Sequence, residues 1–334
     1  MSLRDSSIDY IKGMLMLGVV YGHVVSEFLA HFHNDSIHGQ LVTLFRTYDL
    51  PLFMVISGYF LKKSLEKYSP FSVILNRILT IVIPISVWSF LRGQVNIFGM
   101  YYFLWAVVVS ALICVLGRLL ASQTCITPNI IIELIIDIFC IVVLHVVYLP
   151  WNLFSLYPFF VFGYYMRNIK FQLSGWLFLC SVISWAIGLC FWNVNYNPWN
   201  LGPIDWMGNP KCLLLYVYRF VLAVVGFYVV VPALGCFRLL IKDTRFDRIV
   251  IGSGRESMFI YIFHTIMVSI LLKRGFVLFL GNERVEIPKY ALNLGSFVVA
   301  PMITWFFVEW SLLLAEILKG NKYLKYTTGF RIKK

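Results

Sequence analysis

Lys12 and His23 stand at the two ends of an otherwise apolar stretch near the start of the chain. A helix rises 1.5 Å per residue, so the imidazole lies about 16 Å deeper than the ammonium. Eleven steps of about 100° bring both side chains back to one face. A neutral imidazole is cheap to bury for a titratable group and takes a proton near neutral pH. His23 therefore reads either as a general base held in an apolar setting or as a packing histidine bonded to a nearby hydroxyl or carbonyl. A second constellation is Phe53-Met54-Val55-Ile56-Ser57-Gly58-Tyr59-Phe60, followed by Lys62 and Lys63. The small pair Ser57-Gly58 lets helix backbones approach closely, and the hydroxyl can bond across helices. Asp49-Leu50-Pro51 just before it predicts a broken helix start, with Asp49 near the outer surface. A third is Asn76-Arg77 leading to Pro84. The planar guanidinium of Arg77 suits a phosphate, or it sets topology and snorkels. The fourth is Ser257 through His264, which places His264 about 10–12 Å in from its helix start. Arg219 and Glu309 are further charges inside apolar runs, and such residues are functional hypotheses by default. The sequence leaves open whether they pair with each other or with a substrate.

Other chemistry is absent. His31, His33 and His38 share a polar stretch with Asp35, but their spacing matches no standard metal site, so no metal is predicted. There is no phosphate-cradling glycine loop, no HExxH, no GxSxG and no paired-carboxylate glycosidase pattern. Seven cysteines give an odd count without a CxxC pair. Cys114, Cys140, Cys180 and Cys190 sit in apolar runs and read as small core residues.

The elements that carry these residues follow from composition. Of 334 residues, 60% are hydrophobic and 13% are charged, against roughly 25% charged in a soluble domain. That excludes a soluble enzyme, a disordered chain and a disulfide-rich module. The expectation is an all-α polytopic membrane protein, one transmembrane domain over 1–334. About 20 apolar residues are needed per span, and about ten candidates are present: 10–30, 44–61, 73–91, 97–117, 130–149, 151–167, 173–192, 212–235, 257–273 and 290–318. The first resembles a signal peptide but lacks a cleavage pattern, so it is expected to be retained. The net charge of +12 comes from Lys and Arg between the runs, without interleaved aromatics, so nucleic acid is not an expected partner. With both termini cytoplasmic, twenty of the 28 Lys and Arg fall inside, as the positive-inside rule asks. The segment 192–210, rich in Trp, Asn, Pro and Gly, then faces outside, as a lid over a site or as a Trp-anchored loop.

Four segments together are similar to a known family. Arg4…Asp9-Tyr10-Ile11-Lys12-Gly13…Gly22-His23, then Phe53 to Phe60, then Arg77…Ile83-Pro84, then Ser257…Tyr261-Ile262-Phe263-His264 resemble the integral-membrane acyltransferase-3 family, its fucose 4-O-acetylase-like branch above all. The family signature in the first helix is Arg-x10-His. Here Lys12 takes the Arg position, which keeps the charge and loses the bidentate fork.

The resemblance implies a ten-helix O-acetyltransferase of the bacterial inner membrane. Its acyl donor would be cytoplasmic acetyl-CoA, and its acceptor a hydroxyl of a cell-surface or lipid-linked glycan. It makes His23 the catalytic histidine with Lys12 its partner, and Ser57 and Gly58 the small-residue motif. Arg77 becomes a contact for the nucleotide phosphates, with Lys62 and Lys63 beside it, and His264 a further motif residue. Two rivals stand beside this reading. One is a flippase or exporter of lipid-linked saccharide, which buried charges suit equally, although transporters often carry internal repeats and none is visible. The other is a polytopic acyltransferase acting on lipid or protein. Acceptor, acyl length and oligomeric state are not encoded in any motif.

Overall fold

A computed structural model describes residues 6–33, 37–93, 101–124, 130–146, 153–167, 174–192, 211–281, 285–286, 288–321 and 323–329. The segment 192–210 lies outside these apart from Trp192. Among the described residues the apolar runs are helical. In order come α1 (Ser6–His31), α2 (Ile37–Leu65), α3 (Pro70–Leu91), α4 (Tyr102–Thr124), α5 (Ile130–Val146), α6 (Leu153–Met166), α7 (Gly175–Cys190), α8 (Lys211–Ile241), α9 (Arg245–Arg255), α10 (257–280) and α11 (289–320). Six stretches within them are long and apolar enough to cross a membrane among the described residues: Ser6–Glu27, Pro70–Leu91, Tyr102–Ser122, Leu214–Ile241, Ser257–Phe279 and Tyr290–Gly320. The other four apolar runs coincide with α2, α5, α6 and α7. Helices are what lipid permits, since every backbone group must be satisfied within the segment.

The expected helix start at Asp49-Leu50-Pro51 is corrected. Helix α2 runs unbroken from Ile37 to Leu65 with Pro51 inside it, and Asp49 is buried in mid-helix. Proline costs an internal hydrogen bond, but packing against neighbours compensates this in membrane helices. Helix α3 shows how another proline is absorbed. Ser69 caps its start by accepting from Ser72 N–H, with Pro70 in the first turn. Ahead of Pro84 the helix widens into a π-stretch, Ile78–Val82, where Ile83 N–H bonds to Ile78 O. Similar π-stretches interrupt α10 at Val268–Lys273 and α11 at Gly295–Val299.

The chain packs as two compact units, residues up to Asp49 with those from Val230 to 329, and Leu50–Val229. In the first unit α1 packs against α9, α10 and α11. Apolar burial adds little when the alternative is lipid, so close backbone approach must carry the association. A Cβ on Gly13 would overlap the Val250 carbonyl oxygen, and one on Gly254 would overlap that of Asp9. Helix α9 was not among the expected spans. It is amphipathic, capped by the Thr244 hydroxyl accepting from Asp247 N–H, with Asp247, Val250, Ser253 and Gly254 buried. Its opposite face exposes Arg245, Arg248 and Arg255. Phe32–His33, after α1, pairs in parallel with Val285–Glu286, in register Phe32 to Val285.

In the second unit α4 packs against α3, α5 and α6. There the small-residue expectation for Ser57-Gly58 is met in its backbone part. A Cβ on Gly58 would overlap the Phe160 carbonyl oxygen, and one on Gly163 that of Val55. The α2 and α6 backbones therefore touch at this level.

Candidate active site

Helix α1 is packed on nearly every side. Of residues 6–27, only Ser7 at its start and His23 are exposed. The residues three, four and seven positions before His23 are Val20, Val19 and Met16, and all three are buried. His23 is thus an exposed ring on a largely packed helix, one turn before the Glu27 end of the span Ser6–Glu27. Gly22, Val24 and Val25 on either side of it are also buried.

Helix α10 brings His264 beside it. The two ring centroids lie 5.1 Å apart with the planes tilted by 47°. His264 is 0% exposed. Its Nδ1 lies 2.9 Å from the Ile260 carbonyl oxygen, one turn back on its own helix. A carbonyl only accepts, so Nδ1 carries the proton and Nε2 is the bare nitrogen. That Nε2 is buried and has no hydrogen-bond partner among the described residues. The Tyr261 ring meets His264 edge-on at 5.5 Å. Four residues beyond His264 the π-stretch Val268–Lys273 begins, also in contact with α1, and such bulges are frequent at functional sites.

Beyond His23, the Ser26 hydroxyl donates to Gly22 O at 2.7 Å and accepts from Arg46 Nη2 at 3.2 Å. Arg46 is an exposed cation of α2 within one helical turn of His23. It is not among the residues singled out from the sequence. A lone arginine within an apolar run was the signal available.

The start of α1 is fastened by charge. Arg238 of α8 donates to Ser7 Oγ and Ser6 Oγ, each at 3.0 Å, and its Nε pairs with Asp247 Oδ1 at 3.2 Å. The Arg238 guanidinium also lies 5.5 Å from the Tyr10 ring centroid. Arg255 Nε lies 3.5 Å from Asp9 Oδ2, and Lys319 pairs with Glu256. Lys12 is half-buried in this zone, on the same unbroken helix as His23. Glu309 is paired with Arg245 at 3.0 Å, and Arg219 is a buried residue of the other unit.

The remaining expected residues lie in the second unit. Arg77 Nη2 donates to Ser57 O at 3.4 Å, so these two are brought together. Lys62 Nζ donates to Tyr164 Oη at 3.4 Å, and Lys63 Nζ stands 5.8 Å from the Phe60 ring centroid. Close to Lys62 is a buried network that the sequence reading missed. Arg118 of α4 donates to Asp137 Oδ2 at 2.6 Å and pairs with Glu133 at 3.1 Å. Tyr157 and Tyr165 hydroxyls each donate to Asp137 at 2.9 Å. The Arg118 guanidinium stacks 4.6 Å from the Tyr164 ring centroid. Glu133 and Asp137, four apart on one face of an apolar helix, were the legible sign. Beside it, Arg167 of the same unit donates to Tyr59 Oη at 2.7 Å.

Comparison with known proteins bears out the family resemblance. Residues 5–96 match the acyltransferase-3 family model, described as an acyltransferase domain. The chain is 25% identical over 292 residues to Nodulation protein NolL of Sinorhizobium fredii, covering 78% of this chain and 76% of that protein. It is also 25% identical over 130 residues to Nodulation protein NolL of Mesorhizobium japonicum, covering 32% and 34%. No solved structure matches. The matched residues 5–96 hold Lys12, His23, Arg46, Ser57, Gly58 and Arg77.

Proposed function

We propose that this chain, similar to acyltransferase-3 proteins from its first helix onward, is a multi-pass O-acetyltransferase of a bacterial plasma membrane. It moves acetyl from cytoplasmic acetyl-CoA to a hydroxyl of a surface or lipid-linked glycan. The observation that carries the reading is His23. It is an exposed titratable ring in a span whose other residues, Ser7 aside, are buried or half-buried, and it lies inside the family match.

The chemistry follows from the ring. An unprotonated His23 nitrogen takes the proton of the acceptor hydroxyl as its oxygen attacks the thioester carbonyl. The tetrahedral intermediate collapses, the C–S bond breaks, and the imidazolium returns the proton to the departing CoA sulfur. In the two-step variant, the ring nitrogen attacks first, the C–S bond breaks and CoA leaves as its thiolate; the hydroxyl oxygen then takes the acetyl group as the N–acyl bond breaks, and its proton passes to the CoA thiolate or to water. General base catalysis supplies roughly 10²–10⁴-fold. Positioning and exclusion of water supply the rest. Lys12, about 16 Å along the same helix face, is placed for a CoA phosphate when the pantetheine arm extends toward His23.

The test uses purified full-length protein in lipid nanodiscs with radiolabelled acetyl-CoA. Specific donor binding, with label passing to a glycan fraction from the producing cells, is the expected result. Saccharide movement across the membrane without acetyl transfer would mean a transporter instead.

A further inference from the structure

We propose that His264 is the positioning residue of His23. In this assignment, which rests on the acyl-transfer reading above, the bare Nε2 of His264 accepts a hydrogen bond from a His23 ring N–H. His23 is then held in the tautomer whose other nitrogen faces the exposed side as the base.

Three observations carry it. First, the tautomer of His264 is set by its own helix, because Nδ1–H has the Ile260 carbonyl as its partner at 2.9 Å. Second, the acceptor this leaves is in a costly place. Nε2 is wholly buried and lacks a hydrogen-bond partner among the described residues, and an unmet buried acceptor costs about 1–3 kcal/mol. A group kept there needs a donor that arrives in another state of the site. Third, the ring that stands beside it is His23, with centroids 5.1 Å apart. At that separation the two rings are near enough for a ring nitrogen of one to reach a ring nitrogen of the other when one ring turns. The structure shows which ring can turn. His264 is enclosed at 0% exposure, whereas His23 is exposed. His23 swings and His264 waits.

The bond has a use. A free imidazole interconverts between two tautomers, and only one presents a lone pair to the acceptor hydroxyl. When His264 takes the His23 N–H, that lone pair is always the one on the exposed side. The bond also stabilises the imidazolium formed during attack, since both ring nitrogens then donate. No proton need pass to His264.

The experiment uses full-length protein in nanodiscs with ¹⁵N-labelled histidine, comparing wild type, His264→Phe and His264→Gln, with His23→Ala to assign signals. The Phe ring keeps the shape without an acceptor, while the Gln amide oxygen supplies one. The wild type is expected to show His264 unprotonated at Nε2. His264→Phe should shift the His23 nitrogen signals toward a mixture of tautomers, and His264→Gln should keep them near the wild-type position. In acetyl transfer, His264→Phe should lower kcat about 100-fold with KM for acetyl-CoA unchanged, and His264→Gln should retain kcat within about tenfold. His23 signals unchanged in His264→Phe, or equal loss of kcat in both variants at equal folded protein, would overturn the assignment. The spectra do not depend on the reaction. Coupled rings in a protein that transfers no acetyl would sink the acyl-transfer reading and leave the pairing standing.

Discussion

Gly254 of α9 has no side chain where the Asp9 carbonyl oxygen of α1 sits. The helix that carries His23 is held at its first turns by this backbone contact and by the matching one at Gly13. Alanine at 254 has to push the two helices apart, at a cost of about 1–3 kcal/mol or more. Gly252, two residues away, meets only Leu312 side-chain atoms at 3.7 and 3.8 Å. Thermal unfolding in detergent should therefore show Gly254→Ala well below wild type. Gly252→Ala should be unchanged or up to about 1 kcal/mol more stable, because alanine is the better helix former. Equal effects at both positions would remove the packing argument.

Arg118 and Asp137 form a buried pair in which Asp137 Oδ2 accepts from both Arg118 and Tyr165 and Oδ1 accepts from Tyr157. Removing Asp137 leaves the buried Arg118 with Glu133 as its remaining carboxylate, so the loss falls below the roughly 3–5 kcal/mol of a fully uncompensated buried charge. Asp137→Leu is expected to unfold at a lower temperature, and the double variant Arg118→Met with Asp137→Leu should recover part of the loss, since Glu133 then loses its partner. Additive losses in this double-mutant cycle would show that the pair is not the coupled element described.

In the proposed function Lys12 contributes to donor affinity. Lys12→Ala should raise KM for acetyl-CoA several-fold with kcat little changed, since it removes binding common to ground and transition states. Lys12→Arg keeps the charge and should stay close to wild type. Steady-state kinetics over a donor series decide this. A fall in kcat with KM intact would place Lys12 at the reacting atoms instead.

The helical character of the apolar runs was readable because lipid tolerates only long apolar stretches with internal hydrogen bonding, and Lys12 and His23 stood out because titratable groups are rare there. The readings that failed share a physical cause, which is that tertiary contacts override local signals. Pro51 looked like a helix break, yet α2 passes through it with Asp49 buried. The basic stretch containing Arg245, Arg248 and Arg255 resembled a connection, but its buried face of Asp247, Val250, Ser253 and Gly254 makes it a helix laid against α1. Arg118 drew no notice in the sequence because its partner Asp137 sits on the next helix. Nothing local told that His264 would stand beside His23, since the two helices lie at opposite ends of the chain.

The central claim is that His23 performs the acetyl transfer. It is tested most directly by mass spectrometry of surface glycans from cells that produce equal, membrane-inserted amounts of wild type or His23→Ala. The account predicts O-acetyl groups on the glycan with wild type and a drop of at least about 100-fold with the variant. Undiminished O-acetylation with His23→Ala would contradict it.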